Sequence, residues 1–264
     1  MKMFKHSLVV CLCASALFVS CKKEEAAKES TPAVSKETLA QIKSLGFSDF
    51  NVQKIDGGYL VENDIFLGEQ QLKTSPISTV LSIAKVEQYR TYNLVTGLPR
   101  TITIGVSGLN ANFQSATQQM VNAYNALGLR LRFQYVGTSG ADIVIYGSNL
   151  GGGVLGYSGF PSGGNPYPQV VMNTGGIFGT NVAFMRKVIQ HEVGHCIGFR
   201  HTDWFNRGYS CGSGGAEPQN PEGAVQIPGT PSGADAGSWM LACTGANGSS
   251  FNGNDVTALR YLYQ

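Results

Sequence analysis

The chain has 264 residues, 42% of them hydrophobic and 14% charged, with a formal net charge of +2. That length and apolar content suit a folded core and exclude a disordered chain, and the scattered basic residues lack the clustered footprint of a nucleic-acid binder. A neutral or polymeric partner fits better, and 34 glycines point to a sheet cut by turns and bulges.

Lys2 and Lys5 precede an apolar stretch from Leu8 to Val19, which has the form of an export signal and is too short to span a bilayer. Leu17-Phe18-Val19-Ser20-Cys21 resembles a bacterial lipobox. That resemblance implies a signal peptide over residues 1–20 and a lipidated N-terminus at Cys21, hence an exported protein anchored at the outer membrane or cell surface. Ordinary signal-peptidase cleavage, with Cys21 incidental, is the alternative. Residues 21–34, rich in Lys, Glu, Ala, Ser and Pro, are expected to be a solvated tether. Ser35 can cap a short helix in which Leu39, Ile42 and Leu45 share a face until Gly46. Phe50 to Ile55 and Tyr59 to Phe66 flank Asp56-Gly57-Gly58, a hairpin signal. Residues 35–97 thus form an α+β segment too slight to be a robust domain alone.

Residues 98–264 are expected to be the main domain, also α+β. Thr101 to Ser107 predicts a strand, and Phe113, Ala116, Met120, Tyr124 and Leu127 line one face of a helix. Leu131 to Val136, Ala141 to Tyr146 and Gln169 to Met172 predict three more strands. A helix from about Val182 to Phe199 carries Met185, Val188, Ile189 and Val193 along one side. Asn254 is a candidate cap for a last helix with Val256, Leu259 and Leu262 or Tyr263 facing inward. Beyond the signal and Cys21, three cysteines remain, so at most one disulfide forms within a monomer, the expected state. Cys211 and Cys243 are favoured, because both lie in glycine-rich loops that gain from a staple, whereas Cys196 falls on a predicted helix. Three reduced thiols are the alternative.

The segment from His191 to His201, HEVGHCIGFRH, carries the chemistry. On a helix, His191 and His195 are four residues apart and project from one face, so both can bind one metal, with Glu192 beside them. Gly198 can turn the chain so that His201 supplies a third ligand. Three protein ligands and one open position describe a catalytic Zn2+ site, with Glu192 as general base in peptide-bond hydrolysis. Of the four histidines, the three outside the signal all lie in this motif.

His191 to Asp203, reading HEVGHCIGFRHTD, resembles the dual-action HEIGH metallopeptidase family, with Val193 where that name has isoleucine. Glu87-Gln88-Tyr89-Arg90 and Ser238 to Cys243 extend the resemblance. It implies a metzincin-like fold, namely a twisted mixed sheet with an antiparallel edge strand, an active-site helix and a smaller C-terminal subdomain after Gly198. It implies a zinc endopeptidase acting on protein or peptide substrates, with Met240 in a methionine turn beneath the metal. Gly151 to Pro161 looks like the matrixin bulge and edge strand, to which an extended peptide adds. The extra histidines that hold a structural zinc there in matrixins are missing. Ala242 stands where astacins have a metal-binding tyrosine, and Asp203 occupies the family-specific position after the third histidine, either bracing the lower subdomain or lying at the surface. Tyr59 to Phe66 resembles the astacin prosegment pattern in which an aspartate, here Asp64, enters the cleft and enforces latency, although Asn63 replaces the usual glycine. The alternative there is an ordinary strand with an exposed acid. For the whole chain, two other readings remain open: a catalytically silent, lipid-anchored binding protein on the same scaffold, or a zinc amide hydrolase acting on cell-wall peptide.

Overall fold

Ser35 accepts a hydrogen bond from the Thr38 amide and so caps α1 (Lys36–Ser44), satisfying one of the first-turn donors a helix leaves unpaired. The computed structural model describes residues 34–45, 47–73, 88–138, 140–216, 224–231, 233–243 and 250–264. The expected single hairpin is a three-stranded meander, β1 (Gln53–Ile55), β2 (Gly58–Val61) and β3 (Ile65–Gly68). The apolar run from Tyr59 to Phe66 breaks because Glu62 and Asn63 both take left-handed backbone, at φ 58° and 67°, and reverse the chain. Asparagine tolerates that region at little cost, and glutamate at more. Ile42, Leu45, Phe47, Val61, Ile65 and Leu67 bury together and close against Phe160 of the main domain.

After β4 (Tyr89–Arg90) comes the main sheet, made of β5 (Arg100–Val106), β6 (Leu131–Gly137), β7 (Ile143–Ser148), β8 (Gly156–Tyr157) and β9 (Gln169–Asn173). Its order is β6-β5-β7-β9-β8, with β8 antiparallel to β9 at the edge and the other pairs parallel. Two helices pack on it. The first, α2 (Ala111–Asn125), is capped by Asn110 and buries Phe113, Ala116, Met120 and Tyr124. The second, α3 (Val182–Cys196), is capped by Asn181 and buries Met185, Val188, Ile189 and Val193. Each large side chain so buried is worth about 1.5–3 kcal/mol of transfer free energy, so this shared core sets the position of α3.

The predicted helix through Phe199 ends earlier, at Cys196, because Gly198 adopts φ 107°. The chain then enters β10 (Phe199–Arg200), which joins β4 and β11 (Val225–Gln226) in a second small sheet. Between β10 and β11 lies α4 (Gly208–Cys211), and a disulfide ties Cys211 to Cys243. Cys196 is a buried free thiol. The last helix, α5 (Gly253–Tyr263), is capped by Asn252 rather than Asn254, since the Asp255 side chain returns a bond to the Asn252 amide in a capping box. Its inward residues are Asp255, Ala258, Leu259 and Tyr263, while Val256 and Leu262 are only half-buried. The Tyr263 hydroxyl donates to the Ile197 carbonyl just past α3.

Candidate metal centre and active site

One turn of α3 separates His191 from His195, and both are buried. Gly198 bends the chain where a side chain would collide with the Asn93 carbonyl and Leu94, and three residues later His201 arrives opposite. Nε2 of His195 lies 3.1 Å from Nε2 of His191 and 3.2 Å from Nε2 of His201. His191 donates Nδ1–H to the Trp239 carbonyl at 2.8 Å, and His195 donates Nδ1–H to the Phe199 carbonyl at 2.7 Å. A carbonyl only accepts, so both Nε2 lone pairs face a common point, an arrangement that suits a cation. Ligands about 2.0–2.1 Å from a tetrahedral ion sit roughly 3.3–3.4 Å apart, close to the separations here. Burial, and then the charges of His191 and His201, push the His195 pKa well down and favour the neutral form that binds metal.

Glu192 is buried next to these rings, and Ser158, just past β8, donates its hydroxyl to Glu192 Oε2 at 2.8 Å. Burial and the negative charge of Asp64 push the Glu192 carboxyl well above the usual carboxylate range, against the Ser158 hydrogen bond. Met240 is fully buried and packs at Gly194 of α3. A Cβ on Gly194 would stand 2.5 Å from Met240 Sδ, which explains why the helix has glycine between its two ligating positions. Asp255 fastens the turn: its carboxylate accepts from Gln88 Nε2, Ser238 Oγ and the amides of Trp239 and Asn252 at 2.7–3.2 Å.

Asp64 reaches the same point from the meander. Its Oδ2 is 2.8 Å from His201 Nε2 and 3.5 Å from His191 Nε2. One ligand atom from each of Asp64, His191, His195 and His201 lies within 4.8 Å of all the others. Burial alone would raise the Asp64 carboxyl, but the charge of His201 and the hydrogen bonds of His191 and His201 outweigh it and hold the group far below its ordinary range. The backbone around Asp64 occupies the sheet edge as well. Ser158 N–H donates to the Asp64 carbonyl at 2.8 Å, and Phe66 N–H donates to the Ser158 carbonyl at 2.6 Å. Glu62 is fully buried against Arg200, whose Nη2 lies 3.1 and 3.3 Å from its two oxygens.

Asp203 is buried and accepts from Ser210 Oγ at 2.6 Å and the Ala242 amide at 2.9 Å, which joins the stretch after His201 to the segment after Met240. Cys211 and Cys243 lie at the same place, where the Cys243 amide donates to Ser210 Oγ. Cys21 and the run before it fall outside the described residues. Sequence reasoning missed Ser158, Arg200, Arg207 and Asp255. Asp255 had a visible signal, since it follows Asn252 by the three residues of a capping box, and Ser158 lies within the Gly151 to Pro161 segment that resembles an edge strand. A mostly apolar cavity of about 230 Å³ opens beside Glu192, lined by Gly153, Leu155, Val188, His191, Ala242 and Cys243 together with Asn63 and Asp64.

A mixed sheet above a helix that presents two histidines and a glutamate, completed by a third histidine beyond a glycine turn, defines a metallopeptidase with a divalent-metal site. The chain belongs to the dual-action HEIGH metallo-peptidase family, whose sequence model matches residues 61–263. Two solved structures of myroilysin are similar. One, at 15% identity and TM-score 0.42, pairs 64% of this chain with 82% of its own, and the other, at the same identity and score, pairs 70% with 94%. No curated protein matches the chain by sequence.

Proposed function

We propose that this protein is a zinc endopeptidase of metzincin architecture, held latent by residues 35–73. The observation that carries the reading is the convergence of three histidine Nε2 atoms, 3.1–3.2 Å apart, beside the buried carboxyl of Glu192. His191, His195 and His201 would hold the zinc, which when bound would supply Lewis acidity toward the scissile carbonyl and lower the pKa of water there to about 7. Glu192, oriented by Ser158, takes the proton of the attacking water and later hands it to the departing amine. The Ser158 amide and carbonyl bind an extended substrate through its main chain, as they now bind Asp64 and Phe66. The cavity walled by Leu155 and Val188 accepts an apolar substrate side chain next to the cleaved bond.

Asp64 supports latency on two counts. Its carboxylate lies 2.8 Å from His201 Nε2, where it would compete with a catalytic water, and its backbone pairs with Ser158 at the sheet edge a substrate would use. Cleavage between residue 73 and β4 would free the cleft while leaving β4 paired with β10 and β11. Export with a lipid anchor at Cys21 completes the proposal, and the Cys211–Cys243 disulfide is consistent with an oxidising compartment. Two variants of the cleaved enzyme test the chemistry. Glu192→Ala should keep about one zinc per chain by elemental analysis while losing roughly 10²-fold or more of its activity on casein, whereas His201→Ala should lose the metal too. Full activity of the first with normal zinc, or tight zinc in the second, overturns the assignment.

A further inference from the structure

Glu62 sits in a site built for a carboxylate. Arg200 is fully buried, with Nη2 at 3.1 and 3.3 Å from the two Glu62 oxygens. Its guanidinium lies beside two stacked aromatic rings, 4.6 Å from the centre of Phe47 and 5.7 Å from that of Phe160. Arg207 approaches the same carboxylate to 3.9 Å and donates to the Glu62 carbonyl at 2.8 Å. The Ser48 amide adds a further bond to Oε1.

The two halves of this arrangement have different origins. Glu62, Phe47 and Ser48 belong to residues 35–73, whereas Arg200, Arg207 and Phe160 belong to the catalytic part. Phe160 packs edge-on against His195, with ring centroids 5.5 Å apart, so the arginine site adjoins the metal centre. It lies at the Phe160 end of the edge segment, while the Leu155–Val188 cavity lies at the other. The chain now in the cleft therefore places one carboxylate among the three histidines, from Asp64, and another, two residues away, on the arginines.

We infer that Arg200 and Arg207 form an acid-selective subsite of the processed enzyme, vacated by Glu62 and then filled by an aspartate or glutamate side chain near the scissile bond of the substrate. The inference rests on the reading of residues 35–73 as a removable prosegment and of the site as a peptidase. Its physical basis is that removing Glu62 and Phe47 withdraws a carboxylate and a ring from the guanidinium while Phe160 stays. A guanidinium that has lost a well-placed carboxylate regains most by taking another in its place. A substrate amide in place of the acid presents an N–H₂ to the fork and forfeits the charge.

Two measurements test it. In the full chain, Glu62→Ala should melt at a lower temperature than wild type and recover part of the loss in acetate but not in chloride of equal ionic strength. Equal response to the two anions overturns a carboxylate site. In protein from which residues 35–73 have been cleaved and washed away, a fluorogenic peptide with glutamate flanking the cleaved bond should bind and turn over at least about tenfold better than its glutamine twin. Arg200→Gln, or Arg207→Gln should the first fail to fold, should bring that ratio near one. Equal binding of the two peptides by wild type overturns the subsite. A preserved glutamate preference in binding with no turnover of either peptide would instead overturn the peptidase reading, and with it the substrate assignment.

Discussion

Replacing Glu62 with alanine in the intact chain should loosen the N-terminal segment without unfolding the main domain. At 3.1 Å and an effective dielectric of about 20, the Arg200–Glu62 attraction amounts to roughly 5 kcal/mol before desolvation. Breaking a fully buried pair by removing one partner typically costs about 3–5 kcal/mol. Alanine keeps the Cβ that strains the left-handed backbone at this position, so nothing is returned there and a net loss of at least about 3 kcal/mol is expected. That corresponds to a rise of roughly a hundredfold in the population whose segment has lifted off the sheet edge. Hydrogen exchange reads this population at two amides, Phe66 N–H and Ser158 N–H, which bridge the segment and the edge. Both should exchange about a hundredfold faster in the variant, while amides in the middle of α2 and α3 keep their wild-type rates. Unchanged protection at Phe66 and Ser158 would show that the buried pair does not hold the segment down, and equal acceleration throughout would show that the meander and the main domain open together.

Asp64→Ala, compared with wild type as uncleaved, zinc-loaded chains, should raise activity on small peptides; equal low activity, or full activity in both, rules out Asp64 as the switch. Asp255 offers a pH test, because burial pushes its carboxyl up from 3.8 to about 6 against its hydrogen bonds. The folded chain therefore holds that proton more tightly than the unfolded chain. The stability it contributes is complete below about pH 4 and is lost as pH rises through 6, by about 3 kcal/mol in all. Urea melts of Asp255→Asn and wild type should show a gap that shifts by about that amount between pH 4 and pH 7, and a constant gap refutes the assignment. For the N-terminus, mass spectrometry of the membrane fraction should find lipid on Cys21 and soluble or unprocessed protein in Cys21→Ser; an unmodified mature N-terminus elsewhere refutes anchoring.

The gathering of the three histidines was legible because the residues that make it are local. His191, Glu192, His195, Gly198 and His201 fall within eleven residues, and helical spacing with one glycine turn brings them together. The helices were legible through their apolar periodicity, but their ends followed backbone detail: α3 stops at Cys196, and Asn252 outcompetes Asn254 as a cap because only its spacing to Asp255 closes the box. The turn at Glu62 and Asn63 was hidden by the apolar residues on either side of it. The partners of Glu62 were beyond reach for another reason. Arg200 is 138 residues away and looks like an ordinary charged side chain until the fold buries it. Long-range pairs of this kind leave no periodicity and no spacing to read.

The order of parts along the chain has a consequence for where proteolysis takes place. If Cys21 carries lipid, the anchor and the docked meander lie on the same side of the activating cut, and the catalytic domain lies on the other. Once that bond is broken, only non-covalent contacts, among them those of Glu62, Asp64 and Phe66 with Arg200, His201 and Ser158 and the packing on Phe160, moor the enzyme to the membrane. While the chain is continuous, the covalent link between the meander and β4 keeps the meander at a high effective concentration and it rebinds at once. After the cut, each dissociation lets the enzyme diffuse from the surface. Unblocking the cleft and shedding the domain then become one event, and the activated peptidase works in the surrounding medium rather than on the membrane that displayed its precursor.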